Sequence, residues 1–146
     1  MTCVLIVEPD NVLARTYASA LITARYEAFT ARTAQSAIDA ADEHAPDCIV
    51  LELQLPGHNG IEFLYELRSY AEWQHVPVIL NTYTPRSEFV HMYDALTALG
   101  IVQVLYKPQA TLAKLVRAVR EVTAEAHEEK LEQNSNTSVA REAKAR

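Results

Sequence analysis

A doubly wound α/β domain with a parallel sheet is the fold this sequence predicts, and three observations carry the prediction. Four short apolar runs recur along the chain: Cys3–Val7, Cys48–Leu53, Val76–Leu80 and Ile101–Tyr106, with a weaker fifth at Glu27–Ala31. Runs of this length without alternation suit strands covered on both faces. Between them the apolar period lengthens to that of a helix. Turn residues then fall at the junctions, as the alternation of strand and helix requires.

Each element follows from its own pattern. After the first strand, Leu13, Tyr17, Ala20, Leu21 and Ala24 share one helical face. Ala34, Ala37, Ile38 and Ala41 do so after the second, and Leu64, Leu67 and Ala71 after the third. A fourth helix is predicted from Phe89, Tyr93 and Leu96, and a fifth from Leu112, Leu115, Val116 and Val119. His44-Ala45-Pro46-Asp47 precedes the third strand, Pro56-Gly57-His58-Asn59-Gly60 follows it, and Gly100 ends a helix. Trp73, Tyr65 and Tyr70, near the end of the third helix, read as packing or rim residues. His58-Asn59 reads as turn chemistry rather than ligation. The folded domain is expected over residues 1–122. Residues 123–146 read as a helical extension fading into a disordered polar tail, because only Ala126 and Leu131 offer apolar contacts soon after Val122.

Composition narrows the function. The 146 residues suffice for one buried core. Thirteen Lys and Arg against nineteen Asp and Glu leave a net charge of −6, which disfavours a nucleic-acid binder. No apolar run approaches the length of a membrane span. Met1 leads into the first strand without a signal-peptide pattern, so a cytoplasmic protein is expected. Cys3 and Cys48 lie inside apolar runs and read as buried reduced thiols. The five histidines show no metal-ligand spacing.

In open α/β sheets the site lies beyond the carboxyl ends of the strands. The residues there are Glu8-Pro9-Asp10, Glu52, Asn81-Thr82-Tyr83 and Lys107-Pro108. Three acids, a hydroxyl and a lysine are thus expected to converge. Crowded acids need a cation to coexist, either Lys107 or an oxygen-bound metal.

These residues carry a resemblance to the receiver domains of two-component response regulators. Val4 through Asp10 resembles that family's first strand and acidic cluster, and Pro46 through Gly60 its third strand and following loop. Val76 through Thr82 resembles the strand bearing its hydroxyl, and Gly100 through Pro108 the strand bearing its lysine. The resemblance spans about residues 1–122. It implies a flavodoxin-like fold, a five-stranded sheet in the order 2-1-3-4-5 with five flanking helices. It further implies phosphorylation of an aspartate by a histidine kinase, two acids holding Mg²⁺, and a hydroxyl and a lysine contacting the phosphoryl group.

Carried over by position, Thr82 and Lys107 supply the hydroxyl and the lysine, and Glu8 the first acid. Four positions depart from the pattern. Pro9 replaces the second acid, with Asp10 one place further on. Glu52 stands at the phospho-acceptor position, where a methylene more than aspartate misplaces the carboxylate for in-line attack. Tyr83 replaces a small residue, and Val104 replaces the aromatic switch of the fifth strand. The resulting expectation is an atypical receiver, not an enzyme, with weak or absent Mg²⁺ binding at the vestigial Glu8, Asp10 and Glu52. A Glu52–Lys107 pair with a Thr82 hydrogen bond would hold the loop after the fourth strand inward, without phosphate. Its partners would be signalling proteins such as a histidine kinase, and a homodimer through the last helix and strand-five face is allowed. No nucleic acid, membrane or output domain is expected.

Two alternatives remain. One is a conventional phospho-accepting regulator. The other is a flavodoxin-like cofactor protein, disfavoured because Glu8-Pro9-Asp10 would repel a flavin phosphate where amide donors are wanted.

Overall fold

The computed structural model describes the backbone of residues 1–145 and the side chains through residue 136. Five parallel strands form one sheet in the order β2-β1-β3-β4-β5. They are β1 (Cys3–Val7), β2 (Glu27–Ala31), β3 (Cys48–Leu51), β4 (Val78–Thr82) and β5 (Ile101–Tyr106). The sheet order is the expected one.

The strands are apolar throughout because both faces are covered, and the two-residue period divides them between two cores. Leu5, Val7, Ile49, Leu51 and Leu80 point to one face, where α2 (Ala34–His44) and α3 (Gly60–Ser69) bring Ile38, Phe63, Leu64 and Leu67. Val4, Ile6, Cys48, Val50 and Ile79 point to the other, against α1 (Asn11–Thr23) and the last helix, which supply Leu21, Leu115, Val119 and Val122. Each such side chain contributes about 1.5–3 kcal/mol on burial. The weak pattern of β2 reflects its place at the sheet edge, where Glu27 and Thr30 face solvent.

Several elements differ from the sequence expectation. β3 stops at Leu51, two residues early, so Glu52 lies just beyond the strand. β4 starts at Val78 because Pro77 has no N–H for the ladder, and it runs through Thr82, which pairs with Tyr106. The single fourth helix is broken into α4 (Arg86–Phe89), a 3-10 turn over Val90–Met92 and α5 (Tyr93–Ala98). Neither α4 nor α5 has a capping side chain, and Val, His, Tyr and Asp in this stretch are poor helix formers. Phe89 and Leu96 are buried as expected, whereas Tyr93 is exposed. Ala71 also lies outside α3, in a 3-10 turn with Trp73, and only Trp73 of the two is buried. Tyr65 and Tyr70 face solvent.

The last helix, α6, runs over Leu112–Ala145, so the backbone stays helical where the composition suggested a fading tail. Within the expected disordered segment, the side chains from 137 onward and Arg146 lie outside the described residues.

Candidate functional site

The strands run parallel and all end at the same edge of the sheet, so the residues that follow them converge. Glu8, one residue past β1, keeps its backbone N–H bonded to Ala31 O at 2.9 Å. Glu52, one residue past β3, donates its N–H to Val7 O at 3.0 Å. Lys107 follows β5 at the head of a short 3-10 turn containing Pro108. These backbone anchors leave three long side chains pointing into one buried space.

There they form an ion triplet. The Lys107 ammonium donates to Glu8 Oε1 and, at 3.0 Å, to Glu52 Oε1. The lysine side chain and both glutamate side chains are each only 4% exposed. Two carboxylates on one ammonium leave one negative charge in excess, and backbone amides accommodate it. Leu53 N donates to Glu52 Oε2 at 2.6 Å, Tyr83 N to Glu52 Oε1 at 3.3 Å, and Asp10 N to Glu8 Oε2 at 3.1 Å. The extra methylene of Glu52 lets one carboxylate reach both Lys107 and the amide of its own neighbour.

Burial alone would lower the pKa of Lys107. Its hydrogen bonds to Glu8 and Glu52, and the charges of both, outweigh burial and raise it above the ordinary lysine value. The ring of Tyr83 covers the ammonium from outside, with Nζ 4.6 Å from the ring centroid, within cation–π range.

Two residues expected in this cluster do not join it. Asp10 is turned outward as the N-cap of α1, and its Oδ1 accepts from Val12 N and Leu13 N. An acid directly before a helical pattern favours that cap. Thr82 is fully buried, but its Oγ1 accepts from Thr84 N at 3.1 Å, and the contact from β4 to Glu52 comes from the Tyr83 backbone instead. The loop after β4 is therefore tied to Glu52 as expected, by a different atom. Val104 is half-buried against the core on the α2 and α3 face. Pro9 offers only its carbonyl, which accepts from Arg32 Nε.

The site also holds a pair that sequence reasoning missed. Asn81 is buried at 4% exposure and hydrogen bonds to Tyr17, whose phenol pKa is raised mainly by burial, against that hydrogen bond and the charge of Lys107. A polar residue inside an otherwise apolar strand was the available signal.

A divalent cation does not fit this donor set. Such ions take several oxygen ligands, and Mg²⁺ demands near-octahedral geometry. Lys107 and backbone amides hold the carboxylates of Glu8 and Glu52, Asp10 is committed to α1, and Pro9 has no side-chain oxygen. Among the described residues no three His, Cys, Asp or Glu side chains gather as a metal-holding group.

Comparison with known proteins decides the family. Residues 4–120 match the family profile of the response regulator receiver domain. The chain belongs to that family. It is 37% identical over 130 residues to the transcriptional regulatory protein KdpE of Mycobacterium tuberculosis, covering 86% of this chain and 54% of that protein. It is 34% identical over 79 residues to the polar-differentiation response regulator DivK of Brucella abortus, covering 54% of this chain and 64% of that one. The chain thus spans about half the length of the KdpE relative.

Among solved structures, the chemotaxis protein CheY4 of Vibrio cholerae superposes with a TM-score of 0.75 at 24% identity, covering 84% of this chain and 98% of that one. A CheY-like receiver domain protein of Methanospirillum hungatei gives 0.76 at 20% identity, covering 88% and 98%. These likenesses bear on the fold, which is the flavodoxin-like receiver fold. Receiver domains of two-component systems act through signalling partners such as histidine kinases. Among the described residues no helix is long and apolar enough to cross a membrane.

Proposed function

We propose that this receiver signals through protein contacts without a phosphorylation cycle, its Glu8–Lys107–Glu52 triplet holding the domain in one state. The observation that carries the reading is the double engagement of Lys107, whose ammonium is already neutralised by two buried carboxylates. In the resemblance to its family, this lysine neutralises an incoming phosphoryl group. Here a phosphoryl group would have to displace Glu52 and find room beneath Tyr83. A phosphoryl group carries about −1.5 to −2 charge and three acceptor oxygens. Glu52 supplies one negative charge and hydrogen bonds to Tyr83 N, so it ties the loop after β4 as a partial mimic. The protein is then a cytoplasmic, non-catalytic module whose partner is another signalling protein, a histidine kinase among them, with no nucleic-acid contact of its own.

The test is incubation with acetyl phosphate and Mg²⁺, followed by intact mass measurement. No phosphoryl increment is the expected result. A stoichiometric increment mapped to Glu52 or its neighbours would establish the conventional phospho-accepting reading instead. Glu52→Asp alone should stay unlabelled, because Pro9 and Tyr83 remain. Combining it with Pro9→Asp and Tyr83→Ala should restore labelling in part.

A further inference from the structure

The helical face formed by α1 and α6 carries a groove that the site does not use. It lies between α1 and the start of α6 and encloses about 820 Å³. Ala20, Ala24 and Val116 contribute apolar surface to it, and Arg15, Arg117 and Arg120 supply its charge. Among the described residues no acid lines the groove, although the chain as a whole carries a net charge of −6. Among the described residues none of the three arginine side chains has an ion pair or a hydrogen bond. Three uncompensated guanidinium groups beside an apolar floor select an acidic, partly apolar occupant.

The chain itself carries such a segment. Beyond Val122, the last buried residue of α6 among the described residues, the helix runs on past the core as an overhang. Over residues 123–136 it bears Glu125, Glu128, Glu129 and Glu132 against a single Lys130. Leu131 stands out of this acidic surface at 53% exposure. At 3.6 residues per turn, Ala113, Arg117, Arg120, Ala124, Glu128 and Leu131 follow one another along the same side of α6. The basic groove and the acidic overhang are thus successive stretches of one helix face. One chain cannot bring them together, but an antiparallel copy can.

We infer that two copies of this chain associate through a twofold axis across α6, each laying its acidic overhang in the other's α1–α6 groove. Such an isologous contact uses each patch twice, so every arginine gains a carboxylate and each Leu131 leaves water on an alanine-lined floor. It lies on the α1 side of α6, not on the strand-five side that the family resemblance allows.

Sedimentation velocity of the full chain tests this. A dimer is expected at low ionic strength, weakening as salt screens the charges. Arg117→Glu with Arg120→Glu should raise the dimer Kd by about tenfold or more, and so should Glu128→Arg with Glu132→Arg. Mixing the two double variants should restore the dimer, because each reversed groove then meets a reversed overhang and each unaltered pair also meets. If a reversal unfolds the chain by circular dichroism, Arg117→Gln with Arg120→Gln serves in its place against the unaltered chain. A monomer at low salt, a dimer indifferent to both reversals, or a mixture that stays monomeric would each overturn the inference.

Discussion

Lys107 sits where water can do little for its charge, so its worth depends on the two carboxylates it holds. Removing the lysine leaves Glu8 and Glu52 facing each other with only backbone amides for support, and breaking such a buried pair costs about 3–5 kcal/mol. Lys107→Ala should therefore shift urea melts by an amount in that range at neutral pH. Glu52→Gln in the same chain should recover part of it, with a coupling of about 0.5–3 kcal/mol in the double-mutant cycle. The recovery is partial because Glu8 has still lost its Lys107 partner, and additive losses would mean that Lys107 and Glu52 do not interact. The pH dependence has a definite sign. The folded pKa of Lys107 is raised, so its contribution is full below the ordinary lysine pKa and is lost as pH climbs through the raised value. The gap between the unaltered chain and Lys107→Ala should stay constant from neutral pH to about 10 and close in more alkaline melts. Strand-end polarity made Glu8, Glu52 and Lys107 legible in the sequence as one cluster. It could not say which oxygen takes which proton. Asp10 had two competing uses, pocket acid or helix cap, and the cap prevailed because Val12 and Leu13 needed acceptors at the N-terminus of α1. The hydroxyl of Thr82 was likewise captured by the nearby amide of Thr84.

At the scale of elements, the position of Glu52 depends on how closely α3 approaches the end of β3. Gly60 opens α3, donating its N–H to Leu53 O at 2.7 Å, and a Cβ there would lie 2.9 Å from both Glu52 O and Leu53 Cα. Those are backbone atoms and cannot swing aside. Gly60→Ala should therefore destabilise the fold by about 1–3 kcal/mol, although alanine is the better helix former. Urea melts would measure it, and a neutral or stabilising result would show that α3 can move away from β3. Gly100 is required for another reason. Its φ is +88°, and a Cβ would run into Nη2 of Arg68, whose Nε and Nη1 tie Leu99 O and Trp73 O together. The strands were legible because continuous burial leaves no polar alternation to confuse with a helix. Their ends were less so, since Pro77 delays β4 by withholding a donor and Glu52 closes β3 by turning to the site. The break between α4 and α5 was hidden because Phe89, Tyr93 and Leu96 keep a helical spacing across it. Spacing records which side faces the core and says nothing of whether the backbone bonds between them are unbroken.

At the scale of the whole molecule, the two covered faces of the sheet divide the labour. The α2, α3 and α5 side encloses one core, while the α1 and α6 side encloses the other and extends past it. Among the described residues, burial on that second side ends at Val122, after which Ala126 is half-buried and Leu131 is largely exposed. A helix segment gains stability in water mainly from an apolar face packed on a core, and the overhang has little such packing. Ending the chain after Ala126 should therefore leave the folded domain almost as stable as before, with urea melts unchanged to within about 0.5 kcal/mol. The same cut removes Glu128, Glu129, Leu131 and Glu132, so the shortened chain should sediment as a monomer where the full chain pairs. Stability and self-association would then separate along one helix: residues up to Val122 hold the domain together, and those beyond it address a second copy. A shortened chain that melts several kcal/mol lower would show that the overhang packs on its own domain, and the groove between α1 and α6 would then need a different occupant.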